Sequence, residues 1–186
     1  MMKQETGEVE DRDLIARAQQ GDRQAFTELV TRHQAGIVSL TYRMCGDLRL
    51  AEDAAQEAFV RLWQNLDNYK PQYAFRGWLY RIAANAALDS LRRERPTAVL
   101  DPLSMADPGL SPERSVEENQ RAAQVRRAIS QLSPALRMVL ILREYQELSY
   151  QEIADALDIP VGTVMSRLNS ARAQLRHELS VLLEEA

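Results

Sequence analysis

The sequence predicts an all-α protein built from two small helical domains joined by a flexible linker. Apolar residues recur at three- and four-residue spacing along both flanks of the chain, where Ala, Leu, Arg, Gln and Glu are abundant. No run of alternating β-branched residues suggests a sheet. The linker is indicated by a stretch of extended, proline-rich composition that holds Pro96, Pro102, Pro108, Gly109 and Pro112.

Four helices are predicted in the first half. They run from about Asp13 to Gly21, from Asp22 to Cys45, over about 50–66 and over about 75–94. Asp22 is placed to cap the second helix, and Gly46 is placed to end it. Pro96 stops the fourth helix, because a proline disfavours helical backbone at the residue before it.

Four more helices are predicted in the second half. They run from about Ser115 to Leu132, from Pro134 to about Tyr145, from Ser149 to Leu157 and from about Gly162 to Leu183. Ser133 and Pro134 form a cap followed by a proline at the first helical position. Ser149 and Glu152 have the spacing of a capping box.

Opposite charges are segregated along the chain, although 23 basic and 27 acidic residues give a formal net charge of only -4. Residues 47–67 hold 2 basic and 5 acidic side chains, whereas residues 70–95 hold 6 and 2. Residues 144–158 hold 5 acidic side chains and no basic one, whereas residues 163–177 hold 3 basic and no acidic one. The acidic total alone argues against nucleic acid as a partner, but the segments leave two basic patches for it.

Several classes of protein are disfavoured by composition. No apolar run approaches the roughly 20 residues of a membrane span, and the polar, acidic stretch 1–13 is unlike a secretory signal. Cys45 is the single cysteine, and with only His33 and His177 besides, a metal site is not expected. Cys45 is expected to be a small buried hydrophobic residue. We therefore expect a cytoplasmic protein without membrane insertion or cofactor.

Residues 149–175 have the spacing of a helix-turn-helix. The expected buried positions are Ile153, Ala154 and Leu157 in the first helix and Val164, Leu168, Ala171 and Leu175 in the second. The outward positions of the second helix carry side chains that suit bases and phosphates, and these candidates are Thr163, Ser166, Arg167, Ser170, Arg172 and Arg176. A helical hairpin with a solvated charged face is the alternative.

A second candidate nucleic-acid surface begins at residues 69–78, where aromatic residues and cations alternate. Rings can stack on unpaired bases while cations hold phosphates, and the next helix carries one polar stripe on a mostly apolar surface. The candidate contacts are Tyr73, Phe75, Arg76, Trp78, Arg81, Asn85, Asp89, Arg92 and Arg93. The alternatives are that the stripe is merely solvated and that Phe75, Trp78 and Tyr80 belong to the core.

The helix over residues 51–63 has the opposite character, with Glu52, Asp53, Gln56 and Glu57 in its N-terminal half. Acidic groups there favour the helix dipole, which is the simpler explanation of their placement. Because they would repel DNA, we expect this helix to dock on a basic protein surface, with a neighbouring apolar residue as anchor.

Taken together, these segments resemble an extracytoplasmic-function (group IV, RpoE-like) sigma factor of bacterial RNA polymerase. The resemblance rests on the ordered set Asp13–Asp22, Glu52–Phe59, Phe75–Leu79 and Gly162–Val164, and it extends over about residues 11–180. It implies sigma region 2 in residues 1–95, a flexible linker in residues 96–118 and sigma region 4 in residues 119–186.

The resemblance implies a factor that binds core RNA polymerase and directs it to specific promoters in a stress or envelope response. The acidic helix would bind the clamp helices of the largest subunit through Asp53, Gln56, Glu57, Phe59, Arg61, Leu62 and Trp63. Residues 69–95 would melt and read the minus-ten element. The helix-turn-helix would read the minus-thirty-five element, while region 4 contacts the polymerase flap. An anti-sigma factor usually holds such proteins inactive, and a monomer is expected for the free chain.

Three residues depart from the family pattern. Met165 stands where Lys is usual and Ser170 where Arg is frequent, so this helix is expected to make fewer phosphate contacts. Asp158 occupies a turn position often filled by Gly, and Asp tolerates positive φ better than most residues.

Other functions fit parts of the pattern. A sigma mimic would titrate an anti-sigma factor without reading DNA, and charge reversal at Arg167 would not affect it. A helix-turn-helix regulator with a ligand-binding first half would not co-purify with core polymerase. The polar stripe, the basic recognition helix and the absence of a receiver domain argue against the mimic, and the aromatic segment and the acidic docking helix argue against the regulator. An enzyme is least favoured, because the sequence offers no catalytic residues: no nucleophile–base pair and no phosphate-binding glycine loop.

Overall fold

The computed structural model describes residues 2–70, 74–94 and 116–184, and the side chains of residues 11–70, 74–93 and 121–180. Within these ranges the chain is helical and contains no strand. The elements are α1 Met2–Gln19, α2 Arg23–Cys45, α3 Leu48–Asn65 with a 3-10 turn Leu66–Asn68, α4 Phe75–Glu94, α5 Val116–Gln131, α6 Pro134–Glu144, α7 Tyr150–Leu157 and α8 Val161–Glu184. The prediction of an all-α chain with four helices in each half is confirmed.

Most helix ends lie where the sequence placed them. Asp22 accepts hydrogen bonds from the backbone N–H groups of Gln24 and Ala25, at 2.9 and 3.1 Å, and Gly46 ends α2 with a φ of 75°. The capping box that starts α7 is formed in both directions.

One helix start and one predicted cap differ from the prediction. α1 begins at Met2 rather than near Asp13, because residues 2–12 include three Glu together with Met2, Lys3, Gln4 and Arg12, which favour helix. Ser133 makes no side-chain capping hydrogen bond. Pro134 therefore marks the start of α6 by its fixed φ alone.

The first half is a bundle in which α2, α3 and α4 pack on one another and α1 packs on α2. In the second half, α6 and α7 pack on α8, and α5 lies against α8. Cys45 is 1% exposed, which confirms that it is a buried hydrophobic residue.

The larger hydrophobic cluster continues from the first half into the second. It joins Leu40 and Leu79 in the first half with Ile141 and Ile153 in the second, and α2 and α4 contact α6 and α7 directly. The two halves are therefore packed together. No pattern in the sequence indicated this contact, and the linker predicted over 96–118 lies mostly outside the described residues.

None of the helices among the described residues combines the length and the apolar composition needed to cross a bilayer.

Candidate polymerase and nucleic-acid interfaces

One face of α3 is exposed, and it changes from acidic to apolar along the helix. Asp53 and Gln56 are exposed, and Val60 and Trp63 follow them on the same side with 50% and 42% exposure. Spacings of three, four and three residues align these four side chains, which we call the α3 stripe. The Trp63 ring packs edge-on against Phe26 at 4.7 Å. An oriented, exposed aromatic beside acidic groups suits a partner with a basic and apolar surface.

Four residues predicted to bind polymerase lie elsewhere on α3. Leu62 is fully buried, so it is a core residue, and its prediction as a contact is corrected. Phe59 is half-buried against the core. Arg61 binds Asp89 at 2.9 Å and Glu57 at 2.8 Å, and these hydrogen bonds raise the pKa of its guanidinium. Arg61 therefore joins α3 to α4 through Asp89, and Glu57 of the same helix holds its guanidinium.

Val60 was missed by the sequence prediction, although a signal for it exists. It stands four residues after Gln56 and three before Trp63. The periodicity of an amphipathic helix would have selected it in place of Leu62.

The predicted polar stripe of α4 lies on the surface. Arg81, Asn85 and Arg92 are exposed and Asp89 is partly exposed. The Asp89 carboxylate lies 2.9 Å from Arg61 and 3.6 Å from Arg92. We call Arg81, Asn85, Asp89 and Arg92 the α4 stripe. Its first two residues expose hydrogen-bonding groups, and Asp89 links the other end of the stripe to α3 through the salt bridge with Arg61.

The residues beside the α4 stripe have mixed positions. Arg93 is exposed and donates to the Ser90 hydroxyl at 3.2 Å. Trp78 is half-buried, with its ring 5.2 Å from that of Tyr69. Tyr80 is buried, as the alternative interpretation held.

The rotation of α4 about its axis determines which residues of the aromatic segment 69–78 face the core. Phe75 is 4% exposed, and its ring meets Tyr69 and His33 edge-on at 5.5 and 5.4 Å. The prediction that Phe75 contacts DNA is therefore corrected, because it points into the core. Tyr73 lies outside the described residues. Arg76 is half-buried and donates to the backbone carbonyl of Gln146, at 2.5 Å.

The helix-turn-helix is formed by α7 and α8. Ile153, Val164, Leu168 and Ala171 are fully buried between and behind the two helices. Asp158 takes the left-handed conformation at a φ of 54°, as expected for this turn position.

The exposed face of α8 carries a different set of groups from the one predicted. Ser166, Ser170 and Arg176 are exposed as predicted, whereas Thr163 and Arg167 are half-buried. Met165 and Asn169 are also exposed, Met165 by 48%. Asn169 was missed, although it lies opposite the buried positions of the helix and the spacing alone could have identified it. We call the exposed residues Met165, Ser166, Asn169, Ser170 and Arg176 the α8 face.

Arg172 is joined to the scaffold. It donates to the Glu144 carboxylate of α6 at 2.7 Å, and this hydrogen bond raises the pKa of its guanidinium. The predicted DNA contact at Arg172 therefore competes with an internal salt bridge.

Comparison with known proteins places both halves in one family. The model of Sigma-70 region 2 matches residues 29–97, and that of Sigma-70 region 4 matches residues 122–175. The RNA polymerase sigma-H factor of Pseudomonas aeruginosa is 40% identical over 95% of this chain and 97% of its own. The ECF sigma factor SigW of Bacillus subtilis is 36% identical over 89% and 94%, and the ECF sigma-E factor of Escherichia coli is 37% identical over 95% and 97%.

Solved structures have the same architecture. CnrH, in complex with the cytosolic domain of CnrY, matches with a TM-score of 0.72 and 28% identity over 92% of this chain and 98% of its own. The sigma factor RpoE from Bartonella quintana, in complex with the anti-sigma factor NepR, matches in fold with a TM-score of 0.68 and 20% identity over 84% and 97%. The chain belongs to the extracytoplasmic-function sigma factors of bacterial RNA polymerase, and its function is that of an alternative sigma factor in transcription initiation.

Proposed function

We propose that this sigma factor, of the group IV, RpoE-like kind, performs promoter recognition with three separate surfaces. The α3 stripe binds core polymerase, the α4 stripe reads the minus-ten element, and the α8 face reads the minus-thirty-five element. The observation that carries the proposal is that α4 and α8, one in each half of the chain, expose asparagine and arginine side chains: Asn85 with Arg81 and Arg92 on α4, and Asn169 with Arg176 on α8. RNA synthesis remains with the core enzyme, so the chain itself is not an enzyme.

The order of polar and apolar groups along the α3 stripe suits it to bind polymerase. Asp53 and Gln56 can meet cations and hydrogen-bond donors, while Val60 and Trp63 supply apolar area at the other end. Trp is enriched among the residues that dominate binding energy at interfaces. We assign this stripe to the clamp helices of the largest subunit, and we assign region 4 to the flap.

The α4 stripe suits recognition of separated strands. The Asn85 amide can donate to and accept from the edge of one base, and Arg92 and Arg93 can hold phosphates. Trp78, in the first turn of α4, offers a ring for a base extruded from the duplex. Melting costs unstacking energy, which these contacts offset.

The α8 face suits the major groove of a duplex. Arg176 and the hydroxyls of Ser166 and Ser170 can contact phosphates, and Asn169 can make two hydrogen bonds to adenine. Met165 can touch the methyl group of a thymine. With two family cations replaced by Met165 and Ser170, affinity relies more on polymerase and region 2.

The proposed limits are residues 1–95 for region 2, 96–118 for the linker and 119–186 for region 4. The twenty residues 96–115 reach at most about 66–72 Å when extended. Promoter elements about 15–20 base pairs apart are separated by roughly 50–70 Å along the duplex. The chain is therefore long enough for both halves to hold their elements at once.

Control by an anti-sigma factor is part of the proposal. A related factor has been captured with one, NepR, and such a partner would cover the α3 stripe and the DNA-reading surfaces together. We place the protein in the cytoplasm, as a monomer when free, without a cofactor, in a stress or envelope response.

The proposal is tested by charge reversal in run-off transcription with core polymerase. Arg81→Glu on the α4 stripe and Arg167→Glu on α8 are expected to reduce promoter-specific transcript strongly. The controls carry the same charge change on exposed positions outside the three surfaces: Arg23→Glu for the first half and Arg127→Glu for the second. Each variant is also tested for co-purification with core polymerase, which all four are expected to retain.

Two results would count against the proposal. Equal transcript from Arg81→Glu and Arg23→Glu would remove the α4 stripe from DNA recognition. Indifference to Arg167→Glu, with anti-sigma binding retained, would favour a sigma mimic.

A further inference from the structure

We propose that Arg61 of α3 is a positioning residue for minus-ten recognition: it holds the Asp89 carboxylate of the α4 stripe and thereby keeps Arg92 available to a phosphate of the promoter strand. This inference rests on the proposed function for the role of the α4 stripe. It gives Arg61 a part in reading DNA in place of the polymerase contact that the sequence predicted.

Asp89 is an acidic group on a surface that we assign to DNA. It stands on the polar side of α4, four residues after Asn85 and three before Arg92. An ionised carboxylate only accepts hydrogen bonds, and its charge repels the phosphates of a nearby strand. The α4 stripe can therefore hold a phosphate better if another cation, outside the DNA contact, offsets the charge of Asp89.

Arg61 supplies that cation from the neighbouring helix. Its Nη1 donates to Asp89 Oδ2 at 2.9 Å, and its Nε donates to Glu57 Oε1 at 2.8 Å. Glu57 stands one turn before Arg61 on α3, so its carboxylate fixes the guanidinium in one orientation. The hydrogen bond to Asp89, followed by that to Glu57, raises the pKa of Arg61. The bridge from α3 to α4 is therefore charged and oriented at both ends.

The two carboxylate oxygens of Asp89 have different neighbours. Oδ2 accepts from Arg61, whereas Oδ1 lies 3.6 Å from Arg92 Nη1, which is longer than a hydrogen bond. The Arg92 side chain is 77% exposed, so its guanidinium stays near the stripe and can still meet a phosphate. Without Arg61, Asp89 would pair more closely with Arg92 three residues along the helix. Arg61 therefore controls how far Arg92 is available to DNA.

The bridge is not needed to hold α3 against α4. Leu62 of α3 and Leu79 of α4 are both fully buried in one hydrophobic cluster, and the two helices pack on each other. The side chains of Arg61 and Asp89 are 31% and 40% exposed, and ion pairs with such access to solvent add little to folding stability. Loss of the Arg61 charge should therefore change the α4 stripe while the fold persists.

The test compares Arg61→Gln with the wild type, each assembled with core polymerase. The probe is a labelled promoter fragment whose non-template strand is unpaired at a minus-ten element mapped with the wild type. We expect Arg61→Gln to weaken binding about fivefold, as for one surface charge, and to lower the salt slope by about 0.7, as for one phosphate of a single strand. Arg23→Gln, at an exposed arginine outside the three surfaces, is the matched control. Equal binding by the two variants would overturn the proposal.

Neutralising Asp89 distinguishes a positioning role from a merely structural one. Asp89→Asn alone should strengthen binding, because it removes the acid that attracts Arg92, and Arg61→Gln/Asp89→Asn should regain at least the wild-type affinity. If the pair only braced the two helices, each single variant would weaken binding and the double variant would not recover it. That pattern would overturn the proposal, as would weaker binding by Asp89→Asn alone.

Affinity for core polymerase is measured in parallel, by competition with labelled wild-type protein. Arg61→Gln is expected to compete as well as Arg23→Gln does. A loss of polymerase binding that persists in Arg61→Gln/Asp89→Asn would return Arg61 to the polymerase contact and overturn the proposal. Failure of the wild type with core polymerase to bind any promoter fragment would contradict the proposed function instead.

A conservative variant keeps the test decisive if Arg61→Gln does not fold. Arg61→Lys retains the charge but lacks the fork of donors that reaches Glu57 and Asp89 together. It is expected to weaken binding to the promoter fragment by a smaller factor than fivefold, and Asp89→Asn should cancel that loss. A loss that Asp89→Asn leaves unchanged would overturn the proposal.

Discussion

Burial separates the side chains that can meet a partner from those that hold the fold. Leu62 and Phe75 match the family pattern in sequence, but both lie in the core, whereas Val60 and Asn169 are exposed. Residue type alone does not distinguish these cases, since an aromatic residue serves equally well in a core and in a stacking site. The distinction follows from the phase of each helix, which a single sequence defines only approximately.

Asp22 is the residue whose contribution to stability should depend most clearly on pH. Its carboxylate accepts from Arg17 and from two backbone N–H groups at the start of α2, and the Arg17 hydrogen bond, followed by that of Ala25, lowers its pKa. A lowered pKa means that the stabilisation is present above the unfolded value of 3.8 and is lost as pH falls through the folded value. Asp22→Ala is therefore expected to unfold at lower urea concentration than the wild type at pH 7.

The same comparison at a pH well below 3.8, beneath the lowered pKa of the folded state, provides the check on this assignment. There the urea midpoints of Asp22→Ala and the wild type should converge, because the carboxylate becomes protonated in both states. A gap that does not depend on pH would show that the charge of Asp22 has no part in the cap.

Trp63 is predicted to be the main apolar anchor for polymerase. Trp63→Ala should weaken binding to core polymerase by about tenfold or more, the usual effect of removing an anchor aromatic. Gln64→Ala, at the exposed neighbouring position, is the control. Affinity is measured by competition with a labelled wild type. Equal affinities for the two variants would show that the α3 stripe is not the contact.

At the scale of whole helices, the sequence predicted the elements well because their signals are local. The Asp22 and Ser149 caps, the Gly46 terminator and the left-handed Asp158 turn all depend on residues within four positions. Periodicity likewise placed the α4 stripe and the buried side of α8. The role of Arg137 could not be predicted. It stands in an apolar run of α6, and its guanidinium donates hydrogen bonds to the backbone carbonyls of Met44 in the first half and Leu132 in the second.

The two serines that precede helices of region 4, Ser133 before α6 and Ser149 before α7, allow a matched test of helix stability. Ser149→Ala removes the hydroxyl that accepts from the Glu152 N–H and should lower the free energy of unfolding by about 0.5–2 kcal/mol. Ser133→Ala should have little effect, because Ser133 makes no such bond. Urea unfolding of both variants measures the difference. A larger loss at Ser133 would contradict the capping geometry.

The cations of α8 should differ in their contribution to duplex binding. Arg176→Ala is expected to weaken binding to the minus-thirty-five duplex and to reduce the salt slope by about 1. Arg172→Ala should weaken it less, because Glu144 already holds that guanidinium. Glu144→Gln releases Arg172 and should raise affinity. A salt slope lowered more by Arg172→Ala than by Arg176→Ala would contradict this ranking.

At the scale of the whole molecule, the net charge of -4 is the sum of acidic and basic segments to which we assign different functions. Residues 47–67 and residues 144–158 hold 5 acidic side chains each, whereas residues 70–95 hold 6 basic ones and residues 163–177 hold 3 basic and no acidic one. The contact between the halves could not be predicted, because it joins Gly36, Met44 and Gly77 to residues far along the chain and depends on backbone atoms as much as on side chains. An acidic total fits a factor that finds promoters on polymerase rather than alone.

Run-off transcription with purified core polymerase tests the central claim most directly. Genomic fragments are transcribed with and without the protein, and transcript starts are mapped to single nucleotides. The account predicts starts that appear only when the factor is present, downstream of two shared elements about 15–20 base pairs apart, so that both halves are engaged within the reach of the linker. The absence of any factor-dependent start on any fragment would contradict it.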